Sequence, residues 1–282
     1  MKRYPSPARL LKARGLTPKK SMGQNFLSDR GLALKFAHVA AKTMCKTALE
    51  IGAGLGHLTH LLAERFQRVI AIEKDESLSR EMLNLMPSLD NVEIINMDAS
   101  ALDLENVPGV PPLDPADLVV VGNLPYMITS VILLNLFEQR RLFSNAILGI
   151  QQEVADRLCA TPGSRAAGRL TLLLHAFMDV RKMFDLPPDA YVPRPRVSSS
   201  VIKLTPLDRP RIEIPSEAMF RKVVATAFTQ RRKMLAKALV SNSLCQDLDC
   251  ARQLLTKAGI DPKRRGETLS LDEISRLSML LY

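Results

Sequence analysis

The stretch that decides the fold is Glu50-Ile51-Gly52-Ala53-Gly54-Leu55-Gly56. The pattern of 47–51, which leads into the glycines, predicts a strand, and the periodicity of 57–65 predicts a helix. Glycines in such a turn remove side chains, so the backbone can approach a ligand closely. A strand, a glycine-rich turn and a helix in this order indicate one unit of an open α/β sheet, whose ligands bind at the carboxyl ends of the strands.

Strand and helix patterns alternate on both sides of this turn. Further strands are predicted at 69–72, 92–96, 118–121 and 146–151, and further helices at 29–41, 76–85, 129–137, 153–159 and 170–176. Repeated βα units imply a mostly parallel sheet with helices on both faces. Two later strands, 180–184 and 199–204, are joined without a helix, so we expect an antiparallel hairpin at one edge of the sheet.

The end of the chain has a different pattern. Beyond residue 215 the predicted elements are all helices, at 216–228, 231–242, 247–258 and 270–281. The predicted fold class is therefore α/β, a Rossmann-like sheet followed by a small C-terminal all-helical domain. Three segments are expected: a basic and mobile N-terminal arm over 1–25, a sheet domain over 26–207, and a helical domain over 208–282.

The charge of the chain is concentrated at its two ends. The net charge is +10; residues 1–30 contribute +7 and residues 209–282 contribute +6, whereas the middle of the chain is slightly acidic. Basic ends around a nearly neutral body are typical of a protein that binds a polyanion such as nucleic acid. Ordinary solvated Lys and Arg faces are the alternative.

Other features exclude several classes of protein. The four cysteines form no Cys-x-x-Cys pair and His is sparse, so no metal site is predicted and the thiols are expected to be reduced, as in a cytoplasmic protein. The basic N-terminus is not followed by the apolar run of a signal peptide. Residues 119–137 are apolar, but polar residues and Pro125 interrupt them, so a strand, a turn and a helix explain them better than a membrane span.

A glycine-rich turn and two acidic residues follow three successive predicted strands and suggest a nucleoside-containing ligand. The glycine spacing is Gly-x-Gly-x-Gly, and His57 stands where the dinucleotide fingerprint needs glycine. A nicotinamide oxidoreductase is therefore disfavoured. Glu73 ends the second strand, where an acid can accept ribose hydroxyls, and Asp98 follows the third, where a carboxylate could accept an adenine amino group. This layout is the one expected for S-adenosylmethionine.

The stretch Asn123-Leu124-Pro125-Tyr126 follows the fourth predicted strand, 118–121. An amide oxygen can accept hydrogen bonds from an exocyclic amine, and a tyrosine ring can stack on a base. The two together suit chemistry on the amino group of a nucleobase. The alternative is that Asn123 forms a turn, Pro125 fixes it, and Tyr126 fills the core.

Taken in order, several segments of the chain resemble the ribosomal RNA adenine dimethyltransferases of the KsgA type. The matching positions are 23–27, 50–56, Glu73, Asp98, 123–126, 186–197, 228–233, 259–262, Arg265, Glu267 and 269–270. The resemblance implies a class I methyltransferase sheet. It also implies cofactor-binding residues, namely Asn25, Leu27, Gly52, Glu73, Asp98 and Asn123.

The resemblance places four residues at the reacting base: Asn123, Leu124, Tyr126 and Tyr191. Members of this family usually carry Phe where this chain has Tyr191, and a tyrosine ring can still stack. RNA contacts are implied for Arg231, Arg232 and Lys233, which could otherwise form a plain solvated helix face.

The resemblance implies a methyltransferase that uses S-adenosylmethionine to dimethylate the exocyclic N6 of adenines in small-subunit (16S) ribosomal RNA, linked to small-subunit biogenesis. The implied partner is that RNA or the immature small subunit, and the protein is expected to be a cytoplasmic monomer without a membrane association. Two alternatives stay open: an Erm-type enzyme that methylates large-subunit RNA, and a ribosome assembly factor with the same fold and no catalysis.

Overall fold

The computed structural model describes residues 4–86, 89–110, 113–229 and 233–282. Contacts divide the chain into two compact units. The first comprises Met1–Ala155 and Arg181–Pro206, and the second comprises Asp156–Val180 and Leu207–Tyr282. Residues 156–180 thus group with the C-terminal helices, whereas the sequence-based division left them with the sheet. Within the second unit, the Phe177 ring meets the Phe220 ring edge to face at 6.0 Å between centroids. The domain boundary at 207 stays a prediction.

The described residues form the following strands and helices. The strands are β1 (Phe26–Leu27), β2 (Thr47–Ile51), β3 (Arg68–Glu73), β4 (Val92–Asn96), β5 (Leu118–Asn123), β6 (Asn145–Gln151), β7 (Met178–Leu186), β8 (Tyr191–Val192) and β9 (Ser199–Pro206). The α-helices are α1 (Pro7–Arg14), α2 (Arg30–Ala41), α3 (His57–Ala63), α4 (Glu76–Leu85), α5 (Thr129–Glu138), α6 (Gln152–Leu158), α7 (Arg169–Phe177), α8 (Glu217–Thr229), α9 (Leu235–Ser241), α10 (Leu248–Lys257) and α11 (Leu271–Leu281).

A seven-stranded sheet has the order β4-β3-β2-β5-β6-β9-β7. The pairs among β4, β3, β2, β5 and β6 are parallel, and β9 runs antiparallel to β6. The predicted α/β fold with a mostly parallel sheet and antiparallel strands towards one edge is confirmed. The chain leaves β2 towards β3 on one side and returns to β5 on the other, so the strand order reverses between β2 and β5. In open α/β sheets the crevice at such a reversal is where ligands bind.

The central strands are buried because both faces of the sheet are covered. β2 is buried along its whole length, and β5 is buried from Leu118 to Gly122. Such strands are continuous apolar runs instead of alternating ones, which explains why 118–121 was recognisable. One core cluster combines Phe36 of α2, Leu62 of α3 and Val119 of β5. α2 begins at the predicted cap, where the Asp29 carboxylate accepts a hydrogen bond from the Leu32 amide at 2.9 Å.

The N-terminal segment is packed, although a mobile arm was expected. Leu10 and Leu11 of α1 are buried in a cluster with Phe26, Leu55 and Leu78. The Tyr4 hydroxyl also donates, at 2.8 Å, to the carbonyl of Leu55, a residue of the glycine turn. Residues 4–14 are therefore packed in this structure, and the division of the chain into an arm over 1–25 stays a prediction. The amphipathic pattern of α1 is too short to reveal which surface its two leucines cover.

In the second unit, α8 to α11 match the four helices predicted from the sequence, except that residues 231 and 232 lie outside the described part. Two features define its local structure. Ser270 and Glu273 form a reciprocal capping box at the start of α11. A Cβ atom on Gly266 would lie 2.3 Å from the Ala227 carbonyl oxygen, so only glycine permits this approach to α8. Within the described ranges, no helix has both the length and the apolarity of a membrane span.

Candidate active site

A cavity lies at the carboxyl ends of β2, β3 and β5, within the first unit. The nine residues predicted to contact the cofactor or the base all line it: Asn25, Leu27, Gly52, Glu73, Asp98, Asn123, Leu124, Tyr126 and Tyr191. Their individual roles stay predictions, because lining a cavity does not identify a ligand. Of the predicted RNA contacts, Arg231 and Arg232 lie outside the described residues, and Lys233 is exposed.

The glycine turn is shaped by backbone that only glycine adopts easily. Gly52, Gly54 and Gly56 have φ angles of +73°, +58° and +76°. A Cβ atom on Gly52 would lie 3.7 Å from Pro125 and 3.9 Å from the Asn123 carbonyl oxygen, so it would protrude into the floor of the cavity. The turn therefore presents backbone to whatever occupies this space.

Glu73 is held in place by two backbone amides. Its Oε2 accepts from Gly54 N at 2.8 Å, and its Oε1 accepts from Asp75 N at 2.8 Å. Burial raises the pKa of this carboxyl, and the amide hydrogen bonds offset part of that rise. A carboxylate offers about four acceptor positions, so each oxygen keeps capacity for a further donor. This geometry suits a pair of ribose hydroxyls.

Asp98 is a strong acceptor at a strand end. Its Oδ2 accepts from Lys74 Nζ at 2.6 Å, and its Oδ1 accepts from the amide and the hydroxyl of Ser100 at 2.9 and 2.7 Å. The hydrogen bonds from Lys74 and Ser100 lower the pKa of this carboxyl to about 2. Asp98 is therefore ionised at neutral pH, and an amino group is a suitable partner for it.

Asp75, which the sequence analysis missed, ties the N-terminal segment to the cavity. Its carboxylate accepts from Lys19 Nζ and from Gln24 Nε2, each at 2.9 Å, and from the amide of Ser77 at the start of α4. Burial would raise the pKa of Asp75, but these hydrogen bonds outweigh burial and lower it to about 2. Segment 21–27 is thereby held along one wall of the cavity. The only sequence signal was an acid in an N-cap position two residues after Glu73.

Glu50 is a buried carboxyl at the end of β2 that also lines the cavity. Its Oε2 has no hydrogen-bond partner among the described residues. Burial raises the pKa of Glu50 to about 8, an effect that a hydrogen bond from Thr59 reduces. An orphaned buried acceptor of this kind is costly unless a ligand satisfies it.

Asn123 and the residues after it have a fixed backbone. The Leu124 amide donates to the Gly149 carbonyl at 2.8 Å, and the Pro125 carbonyl accepts from Ile128 N at 3.2 Å. The Asn123 side chain bridges two segments: its Nδ2 lies 3.4 Å from the Asn25 carbonyl, and its Oδ1 accepts from the Tyr191 hydroxyl at 3.0 Å. The tetrapeptide thus brings an amide and the half-buried Tyr126 ring to the cavity.

Two environments differ from the expectations for the base site. Tyr191 is only 3% exposed and its hydroxyl is engaged with Asn123, although a stacking role was predicted for its ring. The Tyr126 hydroxyl is also engaged, with Ser199 Oγ at 2.8 Å. Sequence reasoning did not identify Ser199 or Gly149, both of which contact residues of the tetrapeptide or its partner. The stacking of Tyr191 on a base stays a prediction.

The acceptor groups and the open glycine turn of this cavity fit S-adenosylmethionine. The turn over Gly52 gives close access to backbone, Glu73 can accept two ribose hydroxyls, and Asp98 can accept an amino group. The unsatisfied Glu50 Oε2 offers an acceptor for a cationic amine. A group of three or more His, Cys, Asp or Glu side chains arranged to hold a metal ion is not found among the residues described.

Two curated proteins are similar to this chain over nearly its whole length. Ribosomal RNA small subunit methyltransferase A of Shouchella clausii is 40% identical over 98% of this chain and 95% of its own length. The protein with the same name from Bacillus cytotoxicus is 38% identical over 95% of this chain and 92% of its own.

Two solved structures share the fold. The 23S rRNA methyltransferase ErmE has a TM-score of 0.68 and 23% identity, with 91% of this chain and 99% of that chain covered. A dimethyladenosine transferase from Plasmodium falciparum has a TM-score of 0.69 and 24% identity, with 89% and 95% covered. The family model described as "Ribosomal RNA adenine dimethylase" matches residues 15–277. The resemblance stated from the sequence is confirmed, and the chain belongs to the ribosomal RNA adenine dimethylase family.

Proposed function

We propose that this chain transfers methyl groups from S-adenosylmethionine to the exocyclic N6 of adenines in small-subunit ribosomal RNA and that it dimethylates them. The observation that carries the proposal is the meeting of two groups of residues in one cavity. Gly52 and the acceptors Glu73 and Asp98, the proposed cofactor contacts, line the same cavity as the amide of Asn123 and the ring of Tyr126. Membership of the family supports the reaction class.

The cofactor's part in the chemistry is to supply an electrophilic methyl group on a sulfonium. The chain's part is to hold it. Glu73 would accept the ribose hydroxyls and Asp98 the adenine amino group. Glu50, at the end of β2, would accept from the amino group of the amino-acid portion. Asn25 and Leu27 would cover the ligand from the N-terminal segment, which the Asp75 hydrogen bonds anchor.

The substrate adenine has to leave its stack before its amino group can reach this cavity. The Tyr126 ring would stack on the base, which is worth about 1–3 kcal/mol per base. Asn123 Oδ1 and the Leu124 carbonyl would accept the two amine hydrogens. They would thereby aim the nitrogen lone pair at the methyl group. Positioning at near-attack distance is the main task, because an aryl amine needs orientation more than a strong base.

The proton released by each transfer would pass to water or to a nearby carbonyl. After the first methyl is added, one amine hydrogen remains, so one of the two acceptor contacts is given up. A second methyl can then be added if the cavity accommodates the first. This requirement explains why the acceptors are a neutral amide and a carbonyl, which can lose one contact without leaving a buried charge.

The proposed partner is small-subunit ribosomal RNA, in an immature subunit, bound by a monomer in the cytoplasm. Basic residues at both ends of the chain would contact phosphates, including Arg231, Arg232 and Lys233. An enzyme acting on large-subunit RNA is the second candidate. The solved structure of a 23S rRNA methyltransferase shares the fold at 23% identity, whereas the curated relatives at 38–40% identity carry the small-subunit name.

The experiment is transfer of radiolabelled methyl groups to unmethylated small and large subunits, followed by mapping of the labelled nucleotides. We expect label in small-subunit RNA as N6,N6-dimethyladenine. Label in large subunits only, or in neither, would overturn the proposal. In Asn123→Ala, transfer should fall by roughly 10–100-fold, because a hydrogen bond to a group that develops charge is worth about 1.5–3 kcal/mol. Binding of S-adenosylhomocysteine, measured by calorimetry, separates a loss of transfer from a loss of cofactor affinity, because Asn123 is also a predicted cofactor contact.

A further inference from the structure

The hydroxyl of Tyr191 contacts the side chain to which the proposed function assigns the reacting amine. It donates to Asn123 Oδ1 at 3.0 Å. Burial raises the pKa of the Tyr191 phenol, and hydrogen bonding from Ser199 offsets only part of that rise. The phenol is therefore protonated at neutral pH and acts as a donor.

The Asn123 amide has few other anchors. Its Nδ2 lies 3.4 Å from the Asn25 carbonyl, at the long end of hydrogen-bond distances. Its Oδ1 lies close to Gly149, where a Cβ atom would be only 2.8 Å away. The amide is thus closely packed on one side, and its stronger hydrogen bond is the one from Tyr191. Rotating an asparagine amide by 180° exchanges its oxygen acceptor and its NH₂ donor. The hydrogen bond from Tyr191 therefore fixes the positions of Oδ1 and Nδ2.

The position of the Tyr191 hydroxyl is itself fixed. Tyr191 lies in β8 and pairs with Leu27 of β1. Its ring is nearly inaccessible to solvent. Ser199, at the start of β9, is fully buried and holds the hydroxyl of Tyr126 at 2.8 Å. Strands and a buried serine therefore place the two tyrosine hydroxyls, independently of any ligand.

We propose that Tyr191 is a positioning residue, whose hydroxyl fixes the Asn123 amide with its oxygen available to the substrate amine; this rests on the proposed function. A carbonyl oxygen accepts two hydrogen bonds. Tyr191 takes one position on Oδ1 and leaves the other for the amine. Without the hydroxyl, the amide can rotate and present its NH₂ group to the amine. Two donors then face each other, and the amine is no longer held for attack.

The test is Tyr191→Phe, which keeps the ring and removes only the hydroxyl. Single-turnover methyl transfer to unmethylated small subunits should slow by about two- to tenfold, the effect of one neutral hydrogen bond. KM for the subunit and affinity for S-adenosylhomocysteine should stay within a factor of about two, because the RNA phosphate contacts and the proposed cofactor contacts of Glu73 and Asp98 are left in place. Tyr282→Phe, which removes an exposed hydroxyl in the second unit, is the matched control and should behave as the wild type.

A double-mutant cycle separates positioning through Asn123 from a general structural role. In the Asn123→Ala background, adding Tyr191→Phe should cause no further loss of rate. An equal loss in both backgrounds overturns the inference, as does a Tyr191→Phe enzyme that is as fast as the wild type or faster. The proposed function is tested separately by the wild-type protein. If that protein methylates no ribosomal RNA, the function fails; if it is active and Tyr191→Phe equals it, only the positioning role fails.

Phenylalanine fills the same space, so the variant should fold, and circular dichroism with a melting curve verifies this.

Discussion

Gly149→Ala tests the position of the Asn123 amide without altering any polar group. A Cβ atom at this site of β6 would lie 2.8 Å from Asn123 Oδ1 and 3.2 Å from Phe36 Cε1. Real Cβ atoms essentially never approach an oxygen so closely, so the amide has to move by a few tenths of an ångström. Oδ1 is the end of a rotatable side chain, and the displacement should therefore fall on the amide while the strand stays in place.

The expected magnitudes differ for stability and for turnover. Overpacking by one methyl group typically costs about 1–3 kcal/mol, and the low end applies because the side chain can rotate away. A loss of about 1 kcal/mol lowers the melting temperature of a chain of this size by roughly 2–4 °C, and we expect a decrease of that size. Misplacing a reacting geometry by up to about 1 Å can cost on the order of 100-fold in rate. We expect methyl transfer to decrease by about 10–100-fold.

The assay is single-turnover transfer of labelled methyl to unmethylated small subunits, with S-adenosylhomocysteine affinity measured in parallel. Affinity should change little, because Glu73 and Asp98, the proposed acceptors for the cofactor, stay in place. The matched control is Gly168→Ala in the second unit, where a Cβ atom would meet the flexible Arg157 side chain at 3.3 Å. A folded Gly149→Ala protein with wild-type turnover would refute the assignment of Asn123 as the acceptor for the amine.

Three further predictions concern pH, the N-terminal segment and RNA. Burial raises the pKa of Glu50 from 4.5 to about 8, so the stability that its proton supports is complete below pH 4.5 and is lost as pH rises towards 8. The melting temperature of Glu50→Gln minus that of the wild type should therefore increase from pH 5 to pH 8. A difference that stays constant over this pH range would contradict the prediction. The pKa of Asp75 is lowered from 3.8 to about 2, which corresponds to roughly 2 kcal/mol of stability at neutral pH; Asp75→Asn should lose it at pH 7, and the difference in melting temperature should narrow as pH falls from 4 towards 2. RNA affinity should weaken steeply with salt, and Lys233→Ala should reduce the slope of log K against log salt by about 0.7–0.9; a slope that does not change argues against a phosphate contact there.

Local patterns in the sequence were enough to predict most of the fold. The continuous apolar run 118–121 predicted a buried parallel strand, and the glycine spacing after 47–51 predicted a turn that opens a helix. Asp29 was recognisable as a cap because the signal lies within three residues of the helix start. Each of these features depends on neighbours along the chain, which is why the sequence alone sufficed.

The contacts of the site that the sequence did not predict join residues far apart along the chain. Tyr191 and Asn123 are 68 positions apart, and no local pattern indicates that the hydroxyl of one meets the amide of the other. Asp75 receives Lys19 and Gln24 from a segment whose composition predicted mobility. The packing of Leu10 and Leu11 was missed for the same reason, since an eight-residue helix has too few apolar positions to identify its partner surface.

The pairing of β1 with β8 has a consequence for the synthesis of the chain. Phe26 and Leu27 find their strand partners only at Val192 and Tyr191, and the amides of Ser28 and Asp29 both donate to the Ala190 carbonyl. A nascent polypeptide that has emerged only as far as the glycine turn and the tetrapeptide therefore lacks the strand that closes them. The pocket is completed only after residues 190–192 have left the ribosome, so we expect newly made chains to bind the methyl donor only from that point of synthesis onward.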